Sequence, residues 1–172
     1  MTVRKITMIA MIAALYTVIC LLPGISAISF GQIQVRMAEM LTMLPLIYQP
    51  SIYGLTLGCF LSNLIGALTG LNPLGYLDCV IGTAATLIAA ILTYKLRNRM
   101  VGKLPLWSML MPVIWNFLFV GLELACLMMP EDILKGLLIF GGYVALGEII
   151  AVILGYLLIG NPAVRGLFSD NR

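Results

Sequence analysis

Six apolar runs, at residues 6–22, 36–49, 51–70, 76–96, 106–129 and 133–160, take up most of a chain of 172 residues. A helix needs about 20 apolar residues to cross a hydrocarbon core about 30 Å thick. Only helices and closed barrels satisfy their backbone polar groups in lipid, and runs of this length read as helices. Charged residues make up 10% of the chain, against roughly 25% in a soluble domain, so a polar surface cannot be assembled from them. The expected fold is an all-α integral membrane protein, a single membrane domain over 1–172 with six transmembrane helices. The second run is the weak member. Its helical part, about 13 residues and ~20 Å long, does not cross alone unless the segment before it helps.

What is missing narrows the chemistry. Histidine is absent, which removes His-based zinc sites and Ser-His-Asp triads. Cys20, Cys59, Cys79 and Cys126 are far apart, without a Cys-x-x-Cys pair, and read as small buried hydrophobes. No Gly-x-x-x-x-Gly-Lys-Ser/Thr run is present to cradle ATP, and no basic tract of the kind nucleic-acid binding needs. An enzyme is not expected, nor a metal or cofactor bound by this chain.

Arg4 and Lys5 precede the first run. A signal peptide cleaved near Ser26-Ala27 and a first transmembrane helix both fit that pattern, and the five runs that follow favour the helix. It carries a strip of Ala10, Ala13, Ala14 and Thr17, small residues that let another helix approach closely. That helix belongs either to this chain or to a partner. Gly54, Gly58, Ser62, Gly66 and Gly70 recur every fourth residue in the third run and read as an internal packing ridge. Pro23-Gly24, Gln49-Pro50, Leu71–Gly75, Pro130–Asp132 and Asn161-Pro162 separate the runs. With six spans, Arg4/Lys5, the cluster Lys95, Arg97, Arg99 and Lys103, and Arg165/Arg172 all fall on one side. Positive charge marks the cytoplasmic side, so both termini are expected there.

Polar side chains inside apolar runs are expensive and mark functional sites by default. The segment 29–45 crowds them most. Gln32, Gln34 and Arg36 alternate with Ile33, Val35 and Met37, so an extended chain puts the polar three on one side. Beyond Arg36 a helical period begins, and Arg36 and Glu39 share a face and are expected to pair. This stretch is either one wall of a binding site or an interfacial loop with Arg36 reaching headgroups. Asn63, Asp78, Asn116 and Glu123 fall in the outer half or middle of their runs, with Trp115 beside Asn116. Glu148 sits near the middle of the last run, one and a half turns beyond Tyr143. Asn63 and Asn116 serve equally well as interhelical glue, and Asp78 as a helix cap. Glu123 and Glu148 have no basic residue near them in their own helices. Four acids and one base suit a small, flat, donor-rich or partly cationic ligand, with Trp115 and Tyr143 as candidate stacking groups.

Phe30-Gly31-x-Ile33-Gln34-x-Arg36-x-x-Glu39-x-Leu41-Thr42-x-Leu44-Pro45 is followed by Gly58, Asn63 and Gly66. Then comes Leu77-Asp78-x-x-x-Gly82-Thr83-x-Ala85-Thr86. This pattern resembles the QueT family, substrate-binding (S) components of energy-coupling factor (ECF) transporters linked to uptake of queuosine precursors. The resemblance covers nearly the whole chain, and its first stretch is the most specific part. It implies the six-helix S-component bundle, with ligand bound near the extracellular face. It also implies a transmembrane coupling subunit docked on the Ala10/Ala14 face, and two cytosolic ATPases that consume the ATP. The implied ligand is a 7-deazaguanine in its aminomethyl or cyano form. The assignment of Gln34, Arg36, Glu39, Asn63, Asp78, Trp115, Asn116, Glu123, Tyr143 and Glu148 to that ligand comes from chemistry and depth, not from a family motif. An S component for another small nutrient, such as a vitamin, and a stand-alone ion-coupled carrier using Glu123 or Glu148 are the other readings of the same residues.

Overall fold

The computed structural model describes residues 1–22, 36–72 and 74–168; Gln34 and the segment leading into Arg36 lie outside them. Helix α1 is Val3–Leu21, α2 Met37–Leu46, α3 Ser51–Leu68, α4 Tyr76–Leu96 and α5 Leu106–Met128. Helix α6 runs over Ile133–Gly160, with a π-wound turn at Leu137–Gly141, and a short α7 follows at Pro162–Phe168. Among the described residues five of these, α1, α3, α4, α5 and α6, are long and apolar enough to cross a membrane. The protein is a multi-pass membrane protein.

The second run departs from a spanning α-helix. Helix α2 is ten residues of 3-10 helix, which at about 2.0 Å per residue is ~20 Å long. Three residues per turn stack Glu39, Thr42 and Pro45 on one face and Ala38, Leu41 and Leu44 on another, and all six are buried. Long 3-10 runs are uncommon because their hydrogen bonds are poorer. Irregular winding at membrane depth persists where protein rather than lipid surrounds it, and α2 meets that condition. It packs against α1, α3, α4, α5 and α6.

Small residues set how closely the helices approach. A Cβ at Gly54 would lie 2.8 Å from the Ile9 carbonyl oxygen, and one at Gly58 would lie 2.7 Å from the Tyr16 Cβ. The Gly54/Gly58 ridge of α3 is therefore pressed onto the Ile12, Ala13 and Tyr16 face of α1, where Thr17 also donates to the Gly58 carbonyl at 3.2 Å. Gly155 of α6 leaves room for the Met40 carbonyl of α2, and Gly121 of α5 for the backbone of Gly141. Thr93 of α4 and Ser108 of α5 exchange hydroxyl-to-carbonyl bonds at 3.2 and 3.0 Å. The opposite surface is apolar: Met11, Leu15, Val18, Leu118, Leu122, Leu146 and Ile150 are all exposed, as suits a lipid-facing perimeter.

The small strip of α1 divides between the two surfaces. Ala13 is buried against α3, whereas Ala10 and Ala14 are exposed on the outer face. Near the N-terminus, Arg4 donates to the Leu167 carbonyl at 3.5 Å, and the Tyr48 and Phe168 rings lie 5.2 Å apart. The start of α1, the end of α2 and helix α7 thus share one end of the bundle. Short connections between consecutive helices bring the Lys95–Lys103 loop to the same basic end.

Candidate functional site

At the far end from the basic loops, the polar side chains of different helices turn toward one another. Arg36, immediately before α2, has an extended backbone with φ −78° and ψ 91°. Its side chain leaves the helix and pairs with Asp78 in the first turn of α4, Nη2 to Oδ2 at 2.5 Å. The expected Arg36–Glu39 pairing is replaced by this one, because Arg36 is not wound into the helix whose period would align the two. Asp78 does not act as a simple cap. Asn72 donates to the same Oδ2 at 2.9 Å, and Asn63 donates to the Asp78 backbone carbonyl at 2.9 Å.

Glu39 heads a second layer. Its Oε1 accepts from the Tyr16 hydroxyl of α1 and from Thr86 of α4 at 3.3 Å. Thr86 lies two turns beyond Asp78, a descent of ~12 Å along α4. Cys59 of α3 completes this layer, receiving Thr86 at 3.3 Å. A third layer lies deeper, where Asn116 of α5 donates to Glu148 of α6 at 3.0 Å. Glu123 of α5 is buried and near enough to Asp78 and Arg36 to interact with both electrostatically.

The structure thus brings Arg36, Glu39, Asn63, Asp78, Asn116, Glu123 and Glu148 into the interior, none more than 4% exposed. Two aromatic candidates stand apart. Tyr143 is 41% exposed and lies in a shallow apolar groove with Leu138, Leu146 and Ile149. Five residues at 100° each put it about 140° around the helix from Glu148, so it does not stack in the interior. Trp115 is half-buried and packs on Phe119, ring centroids 5.7 Å apart. Gln34 lies outside the described residues. Tyr16, Cys59, Asn72 and Thr86 belong to the polar network as well; the sequence marks Thr86 only within the family pattern, Cys59 as a buried hydrophobe and Asn72 as a turn residue, and Tyr16 not at all.

More than nine in ten buried polar groups in proteins have a hydrogen-bond partner. Here Glu39 Oε2, Asp78 Oδ1, Asn116 Oδ1, Glu148 Oε2 and both Glu123 carboxylate oxygens have none among the described residues. Arg36 Nε and Thr83 Oγ1 are the donors in the same position. Among the described residues, six unmatched buried acceptors thus stand against two unmatched donors, and the bundle interior is short of hydrogen atoms. Gly82 lets these groups close on the α4 backbone: a Cβ there would collide with Asp78 Oδ1 and lie 3.1 Å from Asn63 Nδ2 and 3.3 Å from Arg36 Nη1.

The QueT transporter family matches residues 6–161. The Queuosine precursor transporter QueT of Lactococcus lactis subsp. cremoris (strain MG1363) is 36% identical over 83 residues, which is 48% of this chain and 45% of the relative. The aligned stretch therefore spans less than half of that curated relative. No solved structure matches. With a family match over nearly its whole length, and helices built to lie in a bilayer, the chain belongs to the QueT transporter family.

Proposed function

We propose that this chain is the S component of an ECF importer, capturing a queuosine precursor of the 7-deazaguanine type from outside the cell. The observation that carries the reading is the surplus of unmatched buried acceptors among the described residues. A deazaguanine presents ring N–H and exocyclic amino donors along one edge, and a carboxylate accepts two such donors side by side. Glu39, Asp78 and Glu148 each hold one oxygen with protein donors and leave the other open. In this reading Asn63 and Asn116 hold those acids in place, and Arg36 Nε serves the ligand's carbonyl. Trp115 is the candidate stacking face, and Gln34 leads into the same wall.

The five long helices and the shorter α2 form the six-element bundle of an S component, with the basic end and both termini in the cytoplasm. The proposed ligand chamber then opens toward the extracellular side. ATP is consumed by partners: a transmembrane coupling subunit docks on the exposed Ala10/Ala14 face and two cytosolic ATPases drive it. Purification from native membranes, followed by reconstitution in vesicles, tests the whole reading. A coupling subunit and two ATPases should co-purify, and uptake of labelled 7-deazaguanine should require all three together with ATP. Uptake by this chain alone, driven by an ion gradient, would replace the proposal with the ion-coupled carrier.

A further inference from the structure

Four acids are buried in this bundle away from the basic end, and three of them accept hydrogen bonds from the protein. Asp78 is held by Arg36 and Asn72, Glu39 by Tyr16 and Thr86, and Glu148 by Asn116. Glu123 differs. It is 3% exposed, and neither of its oxygens has a partner among the described residues. Arg36, the cation in electrostatic range, is committed to Asp78 at 2.5 Å.

The surroundings of Glu123 offer no substitute. It lines a groove of about 510 Å3 between α4 and α5, walled by Leu77, Ile81, Phe119 and Cys126 and rimmed on the perimeter by Leu118 and Leu122; the only other donor in that lining is the Cys126 thiol, a weak one. A buried carboxylate without donors is costly, and a cation with hydrogen atoms offsets that cost most effectively. An ammonium carries three donors and serves both oxygens. A nitrile nitrogen is an acceptor and meets a carboxylate with like polarity.

We infer that Glu123 reads the charge on the ligand, so that the chamber favours a precursor bearing a primary ammonium over its neutral nitrile counterpart. This inference rests on the ligand class proposed above and adds the residue that discriminates within it. Glutamine at this position keeps the shape, loses the charge, and adds an amide donor that a nitrile accepts.

The test is calorimetry on the purified full chain with 7-aminomethyl- and 7-cyano-7-deazaguanine, for wild type and Glu123→Gln. Hydrogen bonds to charged groups contribute about 1.5–3 kcal/mol, so wild type should bind the aminomethyl form about tenfold or more tightly than the cyano form. Glu123→Gln should lose that preference while still binding the cyano form, which also shows that the variant is folded. Equal weakening of both ligands, no weakening of either, or a wild-type preference for the cyano form would overturn the inference while leaving the ligand class standing. Wild type binding neither compound would overturn the ligand class and the inference with it.

Discussion

Arg36 Nη2 and Asp78 Oδ2 lie 2.5 Å apart, with side chains 4% and 0% exposed. The pair joins the start of α2 to the first turn of α4, where each element enters the bundle. Taking two charges out of water costs several kcal/mol per ion, and the mutual attraction offsets this only with good geometry and further hydrogen bonds. Asn72 supplies one such bond to the same oxygen. The pair is therefore better understood as fixing where α2 begins than as a source of stability. It also leaves Asp78 Oδ1 and Arg36 Nε without hydrogen-bond partners among the described residues.

Breaking that pair from one side should be far worse than removing it. Asp78→Asn leaves Arg36 buried without its paired carboxylate, and is expected to destabilise the protein by about 3–5 kcal/mol. The double variant Arg36→Met/Asp78→Leu should recover most of that loss while binding no ligand. Thermal unfolding in detergent, with calorimetry on the same samples, checks both halves of the expectation.

Gly58 and Gly142 are both helical glycines, with opposite expected responses to alanine. At Gly58 the new methyl group would lie 2.7 Å from the Tyr16 Cβ and 2.9 Å from the Ala13 carbonyl oxygen. Such overpacking costs about 1–3 kcal/mol and should move α1 away from α3. At Gly142 nothing lies within 4 Å, so alanine should stabilise by up to ~1 kcal/mol through helix propensity. Unfolding temperatures of the two variants, which should shift in opposite directions, decide the matter.

Gly82 tests the chamber more directly. A Cβ there would collide with Asp78 Oδ1 and crowd Asn63 Nδ2 and Arg36 Nη1. Gly82→Val should weaken ligand binding at least as much as it lowers stability, because it intrudes on the same polar groups. A variant that binds normally in calorimetry would show that the chamber does not hold the ligand.

How much of this was legible in the sequence depends on the range of each interaction. The ridge was readable because a period of four is local: Gly54, Gly58, Ser62 and Gly66 are all buried, whereas Gly70, its expected last member, is exposed beyond the end of α3 with φ +73°. Its partner on α1 was not, since no spacing reports which helix comes alongside. Arg36 and Glu39 looked like a pair for the same local reason, whereas Arg36 reaches across to α4. Tyr16 is not legible because one hydroxyl in an apolar helix carries little signal, and Thr86 stands out only as part of the family pattern. Asn72 looked like a turn residue. It is one, its Oδ1 accepting the Leu74 N–H at 3.0 Å, and it serves Asp78 as well. The 3-10 winding of α2 leaves no mark in composition. The spacing of three in Glu39, Thr42, Pro45 and in Ala38, Leu41, Leu44 fits it, but suits an α-helix nearly as well.

Helix α1 has two faces with separable roles, and a pair of variants distinguishes them. Tyr16 points inward to Glu39, while Ala10 and Ala14 lie on the exposed side. Tyr16→Phe removes a donor from a buried carboxylate, a loss of about 1–3 kcal/mol, and should weaken ligand binding in the isolated chain. Ala14→Leu adds bulk only to the outer face, where close helix approach depends on small residues. It should leave ligand affinity unchanged and abolish co-purification of the coupling subunit, and with it ATP-driven uptake. Should Ala14→Leu instead retain the partner and transport normally, the docking face lies elsewhere on the perimeter. Should Tyr16→Phe bind as wild type does, Glu39 holds its position without α1, and the inner face of that helix serves packing alone.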